Sequence, residues 1–209
     1  MTESNAVDSD LERVEKAQAG DLESFELLVS QYEKRIYRVA YRLLENEHDA
    51  EDVLQETFLK AFEKLKQFRR ESSFYTWIVQ IAVNASFQRL NQRRKWPSVS
   101  LDESEDEGEG YRPKEIVAWE EDPEKLFSHK EIQAILNDAI AALPLIYRSV
   151  FVLKDIEHLP AEQIAQMLEI SLAATKSRLI RARLELRERL SKHFRKKGAV
   201  IHSGDHKHA

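Results

Sequence analysis

The chain contains 209 residues, of which 42% are hydrophobic and 33% are charged, and its formal net charge is −5. This length suits one large domain or two small ones, and the hydrophobic content is sufficient for packed cores. Cysteine is absent, which excludes disulfides and thiolate metal sites. The five glycines and five prolines are too few for the tight turns of an all-β protein, whereas helix-forming residues dominate. The composition therefore predicts an all-α protein.

The N-terminal segment 1–10 is acidic and polar and does not resemble a signal peptide. No stretch approaches the roughly 18 uncharged apolar residues of a membrane span. We therefore expect a cytoplasmic protein without membrane insertion.

The first helical block is predicted over residues 1–95. Apolar residues recur there at three- and four-residue spacing, in the stripes Phe25–Leu43, Ala50–Leu65 and Phe74–Ala85. Each stripe covers about a third of a helix circumference and must be buried against the others. Asn46 is placed to cap the second helix, and Ser72 or Ser73 to cap the third. The pattern predicts a compact helical domain.

An acidic segment follows this block. Between residues 96 and 124, eleven Asp and Glu residues stand against two basic residues, a net charge of −9. Such a segment cannot bury enough apolar surface to order itself and repels itself electrostatically. We predict a flexible linker over 96–125, with a short apolar patch around Trp119 that can dock on a partner.

Helical patterning resumes over residues 126–196. A short helix from Pro160 to Leu168, a three-residue turn and a longer helix from Leu172 to about Phe194 form the order of a helix-turn-helix. Ser171 is the expected N-cap of the longer helix. Between residues 171 and 198 the net charge is +8, and local charge sets the field that DNA meets. The rest of the chain, 197–209, is expected to be a disordered tail.

The longer helix divides into a core face and an outward face. Leu172, Leu179, Ala182 and Leu186 can pack inward, which leaves Lys176, Ser177, Ile180, Arg181 and Arg183 on or beside the outward face. A recognition helix needs this division, because polar side chains read base edges while basic side chains hold phosphates. The alternative is a solvated basic face on an ordinary bundle helix.

Aromatic residues and arginines concentrate between residues 68 and 84. Unstacked bases need aromatic surfaces, and a single strand needs cationic side chains. Phe74 and Trp77 share one helical face and favour a core role, whereas Tyr75 and Asn84 lie off or at the edge of that face. The preceding loop is expected to be exposed and able to hold a flipped base with Phe68, Arg69 and Arg70.

Polar residues also cluster on the second helix, at Asp49, Asp52, Gln55 and Glu56. The simplest interpretation is an ordinary acidic surface. No His or other ligand set accompanies these carboxylates, so we expect neither a metal site nor a cofactor there. Glycine-rich phosphate loops and nucleophile elbows are also absent, so no catalytic residue is predicted. The histidines of the C-terminal tail fit a mobile segment better than a metal site.

The order of these three patterns resembles that of extracytoplasmic-function (ECF) sigma factors, subunits of bacterial RNA polymerase. The segments that show this resemblance are Asp49–Ala61, Phe74–Asn84, Leu143-Pro144, Leu159–Ala165 and Lys176–Arg183. The first two resemble sigma regions 2.2 and 2.3–2.4, and the others resemble region 4. The resemblance spans about 20–95 and 126–192 and implies a region 2 bundle and a region 4 helix-turn-helix domain.

The resemblance assigns a role to each cluster. Asp49, Asp52, Gln55 and Glu56 would dock on the polymerase β′ clamp helices, and region 4 would meet the β flap. The −10 element would be captured by Phe68, Arg69, Arg70, Ser73, Tyr75 and Asn84. The −35 element would be read by Lys176, Ser177, Ile180 and Arg181, with Arg178 and Arg183 nearer the DNA backbone or packing. An anti-sigma factor is the expected regulator.

The chain departs from the family pattern in the helix-turn-helix. Glu169 stands where the turn often has glycine, and a positive φ at this residue would be strained. Ala173-Ala174 replaces a common Gly-Thr, which removes a hydroxyl that can contact a phosphate. Two rival interpretations remain: a helix-turn-helix regulator that binds palindromic duplex sites without polymerase, and a structural adaptor without salt-dependent DNA affinity.

Overall fold

A computed structural model describes residues 3–94 and 129–204, and the regular secondary structure in these ranges is helical. The N-terminal block consists of α1 (Glu3–Gln18), α2 (Leu22–Leu44), α3 (Glu47–Lys64) with a 3-10 turn at Leu65–Gln67, and α4 (Phe74–Arg94). The C-terminal block consists of α5 (His129–Ala141), α6 (Leu145–Phe151) with a π-helical turn at Val152–Ile156, α7 (Ala161–Met167) and α8 (Leu172–Gly204). The all-α prediction is confirmed. The predicted acidic linker and its Trp119 patch lie outside the described residues.

Side chains at the predicted helix starts cap the helices. The Asn46 side chain accepts a hydrogen bond from the Asp49 amide at 2.9 Å, at the start of α3. Ser73 Oγ accepts from the Thr76 amide at 3.0 Å before α4, and Ser171 Oγ accepts from the Ala174 amide at 3.0 Å before α8. Each bond satisfies an amide that has no carbonyl partner within its helix.

The N-terminal block has a core built by α2, α3 and α4, whose fully buried side chains include Leu28, Ile36, Leu43, Val53 and Ile78. Helix α1 packs on this core through the buried Val14. Because successive apolar residues of each stripe lie on one helical face, burying the three stripes brings the three helices together.

The C-terminal block has a small core of its own, formed by Ala139, Ile140, Leu143, Val152, Ala182 and Leu186. A second set of its apolar residues belongs to the main cluster of the N-terminal block: Val150, Leu153, Leu159, Ile164, Met167 and Leu168. The helices in contact across the boundary are α2 with α6 and its π-turn, and α4 with α7. The two blocks are therefore docked against each other.

The structure differs from the sequence prediction at the C-terminus. Helix α8 continues to Gly204, beyond the predicted end near Phe194 and into the segment 197–209 that we expected to be disordered. The extension begins with Arg195, Lys196 and Lys197, which have good helix propensity, and Gly198 inside the helix costs only about 1 kcal/mol.

Candidate nucleic-acid interface

The acidic cluster on α3 is only partly available to a partner. Gln55 is exposed, whereas Asp52 and Glu56 are half-buried. Asp52 forms an ion pair of 2.8 Å with Arg89 of α4. Asp49, which we expected on the same docking face, is buried and paired with Arg93, so its assignment as a contact residue is corrected. Asp49 lies in the first turn of α3, where a carboxylate is favoured by the helix dipole, and it packs inward.

Two apolar side chains extend this face: Leu59, which lies outside the predicted apolar stripe of α3, and Phe62, which the spacing placed in that stripe. Leu59 is 60% exposed and Phe62 is 48% exposed. They follow Gln55 by four and seven residues, so the three side chains lie on one side of α3. Phe62 also packs edge-to-face on Phe25 of α2, with ring centroids 5.1 Å apart. Exposed apolar groups beside polar ones are typical of an interaction surface.

The loop between α3 and α4 contains some of the residues that we predicted to bind the −10 element, the −10 set. Arg69, Arg70 and Ser73 are exposed, as expected. Arg70 has a positive φ of 61° and donates to Glu15 Oε1 at 2.5 Å and Gln18 Oε1 at 3.0 Å, both on α1. This network fixes the loop, while Arg69 projects from it.

Two residues of the −10 set are buried, contrary to the prediction that Phe68 lies in an exposed loop and Tyr75 off the core face. Phe68 stacks on Trp77 with ring centroids 4.8 Å apart, and Tyr75 donates a hydrogen bond to Glu157 of the C-terminal block. Tyr75 also stacks on Tyr32 of α2 with ring centroids 5.3 Å apart, so both blocks contribute to its burial. Burial of its hydroxyl, with the hydrogen bond to Glu157, raises the pKa of Tyr75 above its usual range. Asn84 is exposed on α4, as predicted.

The loop and the C-terminal block enclose a cleft of about 470 Å³. Its walls include Phe68, Arg69 and Trp77 from the N-terminal side and Gln163 and Met167 from α7. The predicted −10 surface therefore faces another part of the chain in this arrangement.

Arginines on α2 complete a polar contact between the blocks that sequence reasoning missed. Arg35 and Arg42 lie 3.3 Å and 3.9 Å from the carboxylate of Glu157, and the Arg35 guanidinium lies 3.9 Å from the Tyr75 ring centroid. Burial lowers the pKa of Arg42, and the Glu157 carboxylate opposes that shift. Basic residues at positions 35, 38 and 42 form one stripe of α2, a signal that could have identified this site.

The helix-turn-helix presents its predicted reading face to solvent. Lys176, Ser177 and Ile180 are exposed, and Ile180 is 58% exposed. Arg181 lies 3.4 Å from the Tyr147 hydroxyl. Glu169 adopts a φ of 54° in the turn, the left-handed conformation that we expected to be strained there.

Arg178 and Arg183, which we expected nearer the DNA backbone or packing, differ in their surroundings: the Arg183 side chain is 54% exposed. Arg178 is partly buried. Arg183 donates two hydrogen bonds of 2.6 Å and 2.8 Å to Asp155, and these bonds raise the pKa of the Arg183 guanidinium. A bidentate pair of this kind fixes the guanidinium in one orientation.

Within residues 3–94 and 129–204, no group of His, Cys, Asp and Glu side chains is arranged to hold a metal ion. In the same ranges, no helix is both long and apolar enough to cross a membrane.

Sequence and structure comparisons agree with this geometry. Residues 28–95 match the sigma-70 region 2 family, and residues 133–186 match the sigma-70 region 4 family. The two blocks are therefore the two conserved regions of a transcription-initiation subunit.

Relatives cover more than four fifths of the chain. The RNA polymerase sigma-H factor of Pseudomonas aeruginosa is 34% identical over 84% of this chain and 91% of its own. The ECF sigma factor SigW of Bacillus subtilis is 35% identical over 85% of this chain and 95% of its own. The ECF sigma-E factor of Escherichia coli is 36% identical over 81% and 88%. This chain belongs to the ECF family of RNA polymerase sigma factors.

Solved structures share the fold. CnrH, in complex with the cytosolic domain of CnrY, has a TM-score of 0.59 at 21% identity and covers 88% of this chain and 98% of its own. The sigma factor RpoE of Bartonella quintana, in complex with the anti-sigma factor NepR, has a TM-score of 0.58 at 20% identity and covers 80% and 96%. The helical fold is common to all three chains.

Proposed function

We propose that this sigma factor acts in the cytoplasm as a specificity subunit without catalytic residues of its own. It binds core RNA polymerase, positions its two blocks on the −10 and −35 promoter elements and promotes melting. The observation that carries the proposal is the presence, in one chain of this family, of an exposed α3 face and an exposed basic recognition helix. Melting follows from binding energy, because a surface that prefers unstacked bases shifts the equilibrium toward open DNA.

We propose that core polymerase docks on α3 through Asp52, Gln55 and Glu56, extended by Leu59 and Phe62. An interface needs apolar anchors as well as a polar rim, and the two exposed side chains supply them. The β′ clamp helices are the proposed partner of this face, and the β flap is the proposed partner of region 4.

Charge reversal tests the docking face. The double variant Asp52→Arg/Glu56→Arg should bind core polymerase at least about tenfold more weakly, since like charges placed across an interface cost several kcal/mol. Glu33→Arg, on the exposed side of α2, reverses a charge elsewhere on the same block and should leave binding unchanged. Unchanged core binding by the double variant would show that polymerase docks elsewhere.

The −10 strand is proposed to contact Arg69, Ser73 and Asn84 directly, with Phe68 and Tyr75 joining once the C-terminal block moves away. The −35 duplex is proposed to meet Lys176, Ser177, Ile180 and Arg181 in its major groove. The exposed members of the two sets include Arg69, Ser73 and Asn84, and Lys176, Ser177 and Ile180.

Control by an anti-sigma factor is proposed because RpoE, which shares the fold, is bound to the anti-sigma factor NepR in its solved structure. Such a partner would occupy the surfaces that meet polymerase and DNA. The chain would then be inactive until the partner is removed.

Transcription in vitro tests the whole proposal. Core polymerase is combined with the chain and a pool of DNA templates randomised over the −10 and −35 elements, and the transcripts are sequenced. Enrichment of one bipartite promoter is expected. Specific duplex binding without polymerase, and no transcription with it, would favour a conventional helix-turn-helix regulator instead.

A further inference from the structure

The carboxylate of Glu157 occupies a site built by the other block. Glu157 is 7% exposed and directly follows the π-helical turn at Val152–Ile156. Its oxygens lie 2.5 Å from the Tyr75 hydroxyl, 3.3 Å from Arg35 and 3.9 Å from Arg42. All three of these groups belong to α2 and α4 of the N-terminal block.

Stability alone is a weak explanation for this arrangement. Taking a carboxylate out of water is costly, and buried ion pairs are often replaceable by apolar side chains without loss of stability. The Glu157 site lies beside an apolar cluster shared by the blocks, which could have been continued across this position. Buried charges are best attested as devices that specify or switch a state. A second state in which the arginines have another partner would account for the ion pair.

The chemistry of the site indicates that partner. Guanidinium groups match carboxylates and phosphates with the same donor geometry, and the tyrosine hydroxyl is a further donor. The Arg35 guanidinium also lies over the Tyr75 ring, an aromatic surface of the kind that stacks on bases. Tyr75 is in the first turn of α4, directly after the loop that holds Arg69 and Ser73. A strand that crosses this loop would carry its phosphates past Arg35 and Arg42.

We propose that Glu157 is an intramolecular substitute for a DNA phosphate. In the docked arrangement, its carboxylate fills the site formed by Arg35, Arg42 and Tyr75. Once the blocks separate on polymerase, the same site binds a backbone phosphate of the melted −10 strand. Free protein is thereby kept from single-stranded DNA by its own carboxylate. This inference rests on the proposed function and adds a phosphate site and its regulation.

Binding of the full-length protein to a fluorescein-labelled (dT)12 strand, followed by anisotropy, tests the proposal. Glu157→Gln should bind at least about tenfold more tightly than the wild-type chain, because removing a charge-assisted hydrogen bond frees the site. Glu162→Gln, an exposed acid on α7, removes the same charge and should change affinity less than about twofold.

A second comparison identifies the phosphate site itself. In the Glu157→Gln background, Arg35→Gln/Arg42→Gln should abolish the gain in affinity. The slope of log affinity against log salt should also fall by about 0.7 for each phosphate that the arginines no longer neutralise. Lys34→Gln, an exposed cation on α2, is the matched control and should retain most of the gain. If the double arginine variant does not fold, Arg35→Gln alone serves, since this side chain is already 40% exposed.

Both binding comparisons have a result that would overturn the proposal. Unchanged affinity of Glu157→Gln would overturn the proposal, and so would a gain that survives removal of both arginines, since opening alone would then explain it. The randomised-promoter assay on the wild-type chain is read separately. Transcription by the wild type together with unchanged Glu157→Gln affinity would refute the phosphate substitute and leave the proposed function intact.

Discussion

Removal of the Arg148 side chain should disturb the docked arrangement. Its guanidinium donates to the carbonyl oxygen of Ala141 at 2.5 Å and to that of Leu43 at 3.1 Å. These carbonyls lie in the last turns of α5 and α2, where helices leave their carbonyl groups without intrahelical partners. Arg148 is 8% exposed, and burial lowers the pKa of its guanidinium. One cation therefore satisfies the ends of two helices that belong to different blocks.

The expected destabilisation follows from these hydrogen bonds. A hydrogen bond to a charged group contributes about 1.5–3 kcal/mol, and a cation at a helix C-terminus adds up to about 1 kcal/mol. Arg148→Met fills the same space but leaves both carbonyls unsatisfied. Desolvating the guanidinium offsets part of the gain, so we expect the free energy of unfolding to fall by about 3 kcal/mol. Glu45, which also pairs with Arg148 but is 43% exposed, should matter much less.

Urea unfolding followed by circular dichroism measures the difference. With a slope of about 2 kcal/mol per molar urea, Arg148→Met should lower the midpoint by about 1.5 M. Glu45→Gln should lower it by less than about 0.5 M. Equal shifts for the two variants would refute the reasoning, because the effect would then come from the surface ion pair and not from the two buried carbonyls.

Further predictions concern the helix-turn-helix and the tyrosine between the blocks. Ser171→Ala should lower the free energy of unfolding by about 1 kcal/mol and Tm by about 2–4 °C, because it removes the N-cap bond of α8; an unchanged Tm would contradict that bond. Glu169→Gly should raise Tm slightly, since glycine adopts φ near 54° without strain, and a lower Tm would refute the strain argument. The raised pKa of Tyr75 means that its contribution to stability is present below about pH 10 and is lost as pH rises further. Between about pH 9 and 11, the free energy of unfolding of Tyr75→Phe should therefore fall less than that of the wild type. Tyr41→Phe, at an exposed tyrosine, is the control. Identical pH profiles for Tyr75→Phe and the wild type would contradict a raised pKa at Tyr75.

Periodicity predicted the helices well because it records which residues must be buried. The stripes from Phe25 and from Phe74 lie inward in α2 and α4, and the caps at Asn46 and Ser171 form the predicted bonds. These are local features, determined by residues within a few positions of one another, so a single sequence is sufficient to find them.

Features that depend on packing between distant segments could not be predicted in this way. Tyr75 lies off the apolar stripe of α4, yet it is buried because Tyr32 and Arg35 of α2 cover its ring and Glu157, far along the chain, accepts a hydrogen bond from its hydroxyl. Phe62 lies on the apolar stripe of α3, yet it remains 48% exposed although it packs edge-to-face on Phe25 of α2. The role of Glu157 could be inferred only from the positions of α2 and α4 relative to the C-terminal block.

Helix α1 holds the loop between α3 and α4 in a fixed conformation. The Gln18 side-chain amide donates to the carbonyl oxygens of Leu65 at 2.8 Å and Phe68 at 3.0 Å, while Glu15 holds Arg70. A loop held in this way has already lost its conformational entropy when the protein folds, so a bound base does not have to order it. Under the proposed function, affinity for a melted strand would therefore depend partly on a helix that need not touch DNA.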